Sequence, residues 1–597
     1  MSDDSRGDAR IVSRYSRATL RSALSASSVP AVPEPRTGPH LDGLWAELRA
    51  EAGRGADTTP PSWSQFHRFE AEGDRVPYER VYFARRGRLN ALAATARLDG
   101  GAATTEALAD MIWSVCDEYT WAVPAHTYLL ASNGRPTEQC VDLFAAETAH
   151  ALAEIVTLLG DRLPASVADR ARTEVRSRVL DPFFDSEQPW LWESSTNNWS
   201  AVCSASIGMA ALALLDDLDE LAEAMERCLG VLEVYLSGFD ADGGCAEGIA
   251  YWVYGFGYFT YFAEALRERT GLDLLRDTPK AAAIASFPQQ IALGGGEYVM
   301  FSDTTRTPPV PTGLVSRLRE RLGTPPPAAA RVPSFRADWC HRWAHLARTL
   351  AWTDPAALGA PADEGAAWLP DLAWLLDRRV IDGRQVVFAA KGGHNDEPHN
   401  HNDLGHFTVS VDGEELLADL GAGSYSHGYF GPDRYAGHLH PSALAHSVPV
   451  VDGLVQQPGR GAAATVVTAH VADDGAELSL DLSAAYEGRP VLRSFIWRSD
   501  GVLGIADTFG DAQHVEEVFI SRIEPRLGDS AVIWSGTHAT AVLTYDSASW
   551  QPLTERLDTV GHLGEPDRVY RLRLRSRGTP AADFVLAVRP FARLSRA

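Results

Sequence analysis

Near residue 380 the spacing of apolar side chains changes from every third or fourth position to every second. A 3.6-residue return lines one face of a helix, and alternation lines one face of a strand. Upstream, segments 105–116, 137–159, 201–215, 218–236, 249–268 and 340–349 carry the helical spacing. Breakers separate them: Gly160, Pro164, the glycine-rich 238–244 run, and Pro308, Pro309 and Pro311. Downstream, segments 386–390, 407–411, 415–420, 448–451, 477–482 and 494–499 alternate. Asp–Gly pairs at 382–383, 412–413, 452–453 and 500–501 punctuate them. Asp–Gly favours tight hairpin turns, so the second half reads as an antiparallel sheet or sandwich. Many helices in succession without strands read as an α/α toroid or a solenoid. With 597 residues, one core is too few. The expected organisation is a tail or loosely docked arm over 1–40, a helical domain over 41–378 and a β domain over 379–597.

A formal charge of -25 disfavours a nucleic-acid or anionic-membrane partner. Basic charge is nearly all arginine; Lys280 and Lys391 are the only lysines. None of the six cysteines forms a CxxC pair, which removes the usual thiolate zinc and redox motifs. Acidic residues follow Met1 with no apolar stretch behind them, and no uninterrupted apolar run is long enough to span a bilayer. A reduced, cytoplasmic location is the expectation. Nucleotide-loop, GxSxG and HExxH motifs are absent from the sequence.

Polar chemistry concentrates in Lys391-Gly-Gly-His394-Asn-Asp-Glu-Pro-His399-Asn-His401-Asn-Asp403. In a strand, His399, His401 and Asp403 would share one face, enough for part of a zinc site. Asp419 ends an apolar run, where a lone carboxylate is costly to bury, and His446 lies between apolar neighbours. His401, Asp419 and His446 together make a His/Asp/His set. A plain two-residue turn at Asp412-Gly413 would place His401 and Asp419 on opposite faces, so this set requires a bulge or an odd-length loop. In the helical half, Asn197 or Asn198 is placed to cap the helix beginning near 201. Glu247, Tyr251, Tyr254 and Tyr258 recur at helical spacing, as a core stripe or the wall of a sugar cleft.

Five stretches, NNWSAVC (197–203), DGGCAEGIAYWVYG (242–255), KGGHNDEPHNHNDLGHF (391–407), LLADLGAGSY (416–425) and SALAHSV (442–448), resemble the heparinase II/III-like lyases, a family that includes oligoalginate lyases and a uronate epimerase. They occur in the family's order over roughly residues 100–460. The resemblance implies an α/α toroid followed by an antiparallel β-sandwich. It implies zinc held by His401, Asp419 and His446, with the metal mainly structural. It makes His399 an active-site histidine and Tyr254 the catalytic tyrosine, with Tyr251 as the alternative. Asn198 becomes the contact to a substrate carboxylate, with Glu247, Trp199 and His126 lining the substrate site. Some relatives carry a histidine directly after the double asparagine; Trp199 stands there in this chain, and His126 is the residue that could replace it.

The implied activity is β-elimination on a uronic-acid glycan, exo-acting on short oligosaccharides. The proton beside a uronate carboxylate is weakly acidic. A neutral donor must stabilise the enolate-like intermediate, and a phenol or imidazole must move the proton. Uronate epimerisation shares the first step, and a non-catalytic carbohydrate-binding protein would share the scaffold. The partner expected is a uronic-acid oligosaccharide, with a homo-oligomer compatible.

Overall fold

Helices fill the chain from Arg17 to Trp352 and strands follow from Gly365 onward, apart from a small hairpin of Ala292–Gly294 and Glu297–Tyr298. The structure, a computed structural model, describes residues 14–592 except 28–31, 55–58, 132–133, 186–187, 328–329, 361–363, 427 and 579–580. The first 13 residues of the expected tail thus lie outside the described ones. The tail's described part docks on the helical domain: Ser16 caps helix Arg17–Ser25, which buries Leu20 and Leu24. Tyr15 donates to Asp277 at 2.6 Å.

Helices Asn198–Leu214, Leu143–Leu159 and Ile249–Thr270 form the centre of the helical half. The first is built from alanine, serine and glycine, so its neighbours approach closely. A Cβ on Gly208 would lie 2.5 Å from the Phe262 ring, which only glycine avoids. Leu143–Arg162 is long and apolar enough by composition to cross a bilayer, though Glu147 and Glu154 interrupt it, and 78% of its apolar window is buried inside the protein. The longest helix, Val76–Asp99, shows no apolar stripe because Arg85, Arg86 and Arg88 are buried on it. Arg85 and Arg86 both bond the buried Glu118 carboxylate.

The expected boundary at 378/379 falls inside strand Trp374–Ile381, and the sheet opens earlier, at Gly365–Leu369. Burial on both faces hides the alternation there. Trp374 and Leu376 pack into the helical core, while Leu375 packs into the core between the sheets. This five-stranded antiparallel sheet is completed by Arg384–Lys391, Phe407–Val411 and Glu414–Leu417. An eight-stranded and a four-stranded antiparallel sheet follow in the chain. Phe388 and Phe407 from the first sheet, Phe495 and Trp497 from the second and Phe519 from the third share one core.

Candidate active site

The turn Asp412-Gly413 has left-handed φ at both residues, 46° and 87°. Two residues upstream in pairing, Val409 faces Leu417 while Ser410 faces Glu415, so one strand carries an extra residue. The bulge is therefore present, beside a two-residue turn. The 399–403 segment, however, is not a strand. His399 adopts φ 60°, a left-handed conformation. That reversal sends His399 to an open cleft while His401 and Asp403 go inward.

Inward lies a fully buried knot of His401, Asp403, His406, Asp419 and His446. Two compact ligand triads exist among the described residues: His401 with Asp403 and His446, and His406 with Asp419 and His446. Asp403 and His406 are therefore additions to the expected set, and His401 and Asp419 belong to different triads. Hydrogen bonds decide which atoms can ligate. His406 Nδ1 accepts from the Ser447 N–H at 2.9 Å, so its Nε2 carries the proton and faces Asp419 at 3.3 Å. That histidine steadies a carboxylate and offers no lone pair inward. His446 donates from Nε2 to the His440 carbonyl at 2.9 Å, leaving Nδ1 bare. His401 Nε2 lies 3.0 Å from Asp303 Oδ1, again leaving Nδ1 bare. Asp403 accepts from Lys391 at one oxygen and its second is buried without a partner; Asp419 accepts from the Gly421 N–H at one oxygen and faces His406 with the other.

Three bare acceptors thus form one compact group, His401 Nδ1, Asp403 Oδ2 and His446 Nδ1, and Asp419 Oδ2 adjoins it at His446. His446 Nδ1 is 3.9 Å from Asp403 Oδ2 and 3.7 Å from Asp419 Oδ2. Tetrahedral zinc with bonds of ~2.0–2.1 Å spaces its ligands by ~3.4 Å, so the donor set suits a divalent cation. Burial pushes the His446 pKa down to about 3, keeping its lone pair free. Burial alone would raise Asp419, but the surrounding histidines outweigh it and hold the carboxyl well below its usual range.

Toward the cleft, His399 Nδ1 is 3.2 Å from Asp303 Oδ2, 3.1 Å from the Tyr251 hydroxyl and 3.3 Å from the Tyr425 hydroxyl. An anionic carboxylate at that distance requires the proton on Nδ1, so Nε2 presents the lone pair. Burial lowers the His399 pKa, favouring the free base. The Tyr251 ring stacks on His399 at 4.2 Å between centroids, and its hydroxyl lies 2.8 Å from that of Tyr425. Burial raises the Tyr251 pKa well above that of a free phenol.

The cleft, about 900 Å³, runs between the helical half and the sheet half. Six residues singled out in the sequence line it: His126, Asn198, Trp199, Tyr251, Tyr254 and His399. The capping role falls to Asn197, which accepts from the Trp199 N–H, and this frees Asn198, whose Oδ1 is buried without a partner. Tyr254 points elsewhere in the same cleft: its ring carries the Arg342 guanidinium at 4.1 Å, and its hydroxyl has no partner. Tyr258 is not at the cleft; it donates to Glu147. Glu247 precedes the helix rather than sharing its face, since Ile249 is the first helical residue. Burial pushes the Glu247 pKa up to about 8, partly countered by the Asn198 N–H, and its Oε2 lies 4.0 Å from His399 Nε2. His126 Nδ1 is 2.8 Å from buried Asp142, and its ring meets Trp199 edge-on at 4.7 Å.

Asp303, Tyr425 and Tyr429 escaped the sequence reading. Asp303 lies in a turn with no motif around it, and only the fold brings it beneath the histidine loop.

Comparison with solved structures is decisive for the fold. A heparinase III structure superposes with a TM-score of 0.63 at 12% identity, covering 96% of this chain and 89% of that one. The chain has a heparinase-type fold. A heparan sulfate lyase, HepC from Pedobacter heparinus, superposes at 0.59 with 13% identity over 96% of this chain and 87% of its own. A second heparinase III structure gives 0.59 at 12% identity over 96% and 94%. No protein-family profile and no curated protein sequence matches the chain. At these identities the heparinase-type likeness concerns the fold, and the chemistry rests on the residues.

Proposed function

We propose that this protein is a polysaccharide lyase that cleaves a uronic-acid glycan by β-elimination. The observation that carries the reading is the convergence of Asn198 and Tyr251, from the helical half, with His399, from the sheet half, on one cleft. Their protonation states fit the two proton transfers. His399 Nε2 holds a lone pair able to take the proton beside the uronate carboxylate. Tyr251 holds a proton able to pass to the departing glycosidic oxygen, and Tyr425 steadies the phenolate left behind. Asn198 supplies a neutral amide to the carboxylate as charge builds on it. Tyr254, the residue matched first in the sequence, is assigned to substrate contact instead, because nothing near its hydroxyl links it to His399.

We assign zinc to the knot, with His401, Asp403 and His446 as its compact ligand set and Asp419 as the further carboxylate beside His446. Its part is to tie down the loop that carries His399. The heparinase-type fold supports reading the helices as an α/α toroid and the sheets as a sandwich. The cleft volume falls in the range of small-molecule sites, which supports short oligosaccharides and exo action. Arg75 and Arg342 line the cleft, each already bound to a carboxylate, Glu79 and Asp338 respectively. Uronates with few or no sulfates suit such a surface. Six thiols with no disulfide among the described residues suit a reducing, cytoplasmic setting.

Incubation with alginate-, heparosan- and hyaluronan-type oligomers tests the reading. Unsaturated uronate absorbing in the ultraviolet is the expected product. Proton exchange at the same carbon without cleavage would indicate an epimerase, and intact sugar recovered from a tight complex would indicate a binding protein.

A further inference from the structure

Among the described residues, Asp303 is the one carboxylate that bonds both a knot histidine and a cleft histidine. Its side chain is wholly buried, and each oxygen has its own set of partners. Oδ1 lies 3.0 Å from His401 Nε2 and accepts from the Tyr429 hydroxyl at 2.6 Å. Oδ2 lies 3.2 Å from His399 Nδ1 and accepts from Arg434 at 2.7 Å. Its backbone N–H also donates to the His399 carbonyl at 3.1 Å, bracing the left-handed residue. Arg434 further donates to the Asn400 carbonyl at 3.0 Å, so the strap reaches the residue between the two histidines.

A carboxylate accepts and never donates, so it forces a proton onto whichever imidazole nitrogen faces it. The two histidines present opposite nitrogens to Asp303. We propose that Asp303 is a positioning residue that sets both tautomers at once. It holds the proton of His401 on Nε2, freeing Nδ1 for the cation, and the proton of His399 on Nδ1, freeing Nε2 for the substrate. One side chain thereby orients a ligand of the metal and a base of the cleft. The proposal rests on the functional reading only for the use to which His399 is put.

The structure makes an asymmetric prediction for Asp303→Asn. Arg434 can only donate, so it claims the new amide's oxygen at the Oδ2 position, beside His399. The amide nitrogen then occupies the Oδ1 position, where it gives His401 Nε2 a donor instead of an acceptor. His401 must move its proton to Nδ1, the nitrogen that should ligate, while His399 keeps its hydrogen bond.

Nitrogen-15 NMR of imidazole-labelled, zinc-loaded protein reads the tautomers, with His399→Gln and His401→Gln assigning the signals among the 18 histidines. In the unsubstituted protein we expect Nδ1–H on His399 and Nε2–H on His401; either signal reversed overturns the proposal without any Asp303 variant. In Asp303→Asn we expect zinc retention against a chelator to weaken by about 10–100-fold, the range for loss of a partner behind a ligand, with the His399 tautomer unchanged. Equal zinc retention in the two proteins overturns it, as does a His399 tautomer that shifts along with that of His401. Neither readout uses turnover. Set tautomers with no cleavage of any uronan would leave this proposal standing and remove the lyase reading, and cleavage with unset tautomers would do the reverse.

Discussion

The buried knot and the open cleft use the same side-chain types to opposite ends. In the knot, every histidine has one ring nitrogen spent on the protein, and the bare atoms of His401, Asp403 and His446 gather in one compact group. In the cleft, the unsatisfied atoms belong to Asn198 and Tyr254 and lie along a wall rather than around a point, with Glu247 just outside its lining. A closed set of converging acceptors asks for a cation; a dispersed set of amide, phenol and carboxyl beside a stacked tyrosine–histidine pair asks for an organic substrate. The knot should therefore govern stability and loop position, and the cleft should govern turnover.

The largest effect that sharpens this contrast is on turnover alone. Tyr251→Phe is expected to lower kcat by about 10²–10⁴, the scale of a lost general acid, with the thermal midpoint unchanged. Tyr254→Phe is expected to cost under about 10-fold, since no proton transfer is assigned to it. Steady-state kinetics and thermal melts of both variants check the pair; a reversal of their order would move the proton-transfer role to Tyr254.

Next, Asn198→Ala is expected to lower kcat by about 10²-fold, the lower end for removing one donor to a developing oxyanion. A change confined to KM would show that the amide only binds the sugar.

On the other side, His446→Ala is expected to abolish retention of one equivalent of zinc, measured by elemental analysis. The thermal midpoint should fall as in chelated unsubstituted protein, since a ligand bound only by the folded state stabilises it. A variant that keeps its zinc would break the knot half of the comparison.

The smallest effect concerns pH. Glu247 is held protonated up to about pH 8 by burial, whereas the unfolded chain ionises it near its ordinary value of 4.5. Between those values the folded state binds more protons than the unfolded one, so stability falls as pH rises and the full penalty is present above about pH 8. Glu247→Gln removes this contribution. Its thermal midpoint should decline less than that of the unsubstituted protein between pH 5 and 8, measured in parallel scans.

The architecture was legible wherever packing leaves a periodic trace. Leu218–Leu236 begins and ends where its apolar spacing does because one face is buried and the other solvated. Val76–Asp99 left no such trace, since its buried face includes arginines that only tertiary ion pairing makes tolerable. Strand Trp374–Ile381 was hidden by burial on both faces. At the site, the histidines and carboxylates stood out by density, yet their division between knot and cleft depends on one backbone reversal at His399 that alternation cannot foretell. Asp303 was invisible for a different reason: its importance comes from what lies opposite it in space, and Ser-Asp-Thr-Thr carries no local signal.

The convergence across the cleft is tested most directly by following ultraviolet absorbance as the zinc-loaded protein meets a panel of unsulfated uronan oligomers, with Tyr251→Phe alongside. The expected result is unsaturated uronate from at least one of them, with Tyr251→Phe slower by about 10² or more. Equal rates for the two proteins, or no unsaturated product from any uronan while zinc is fully bound, would contradict it.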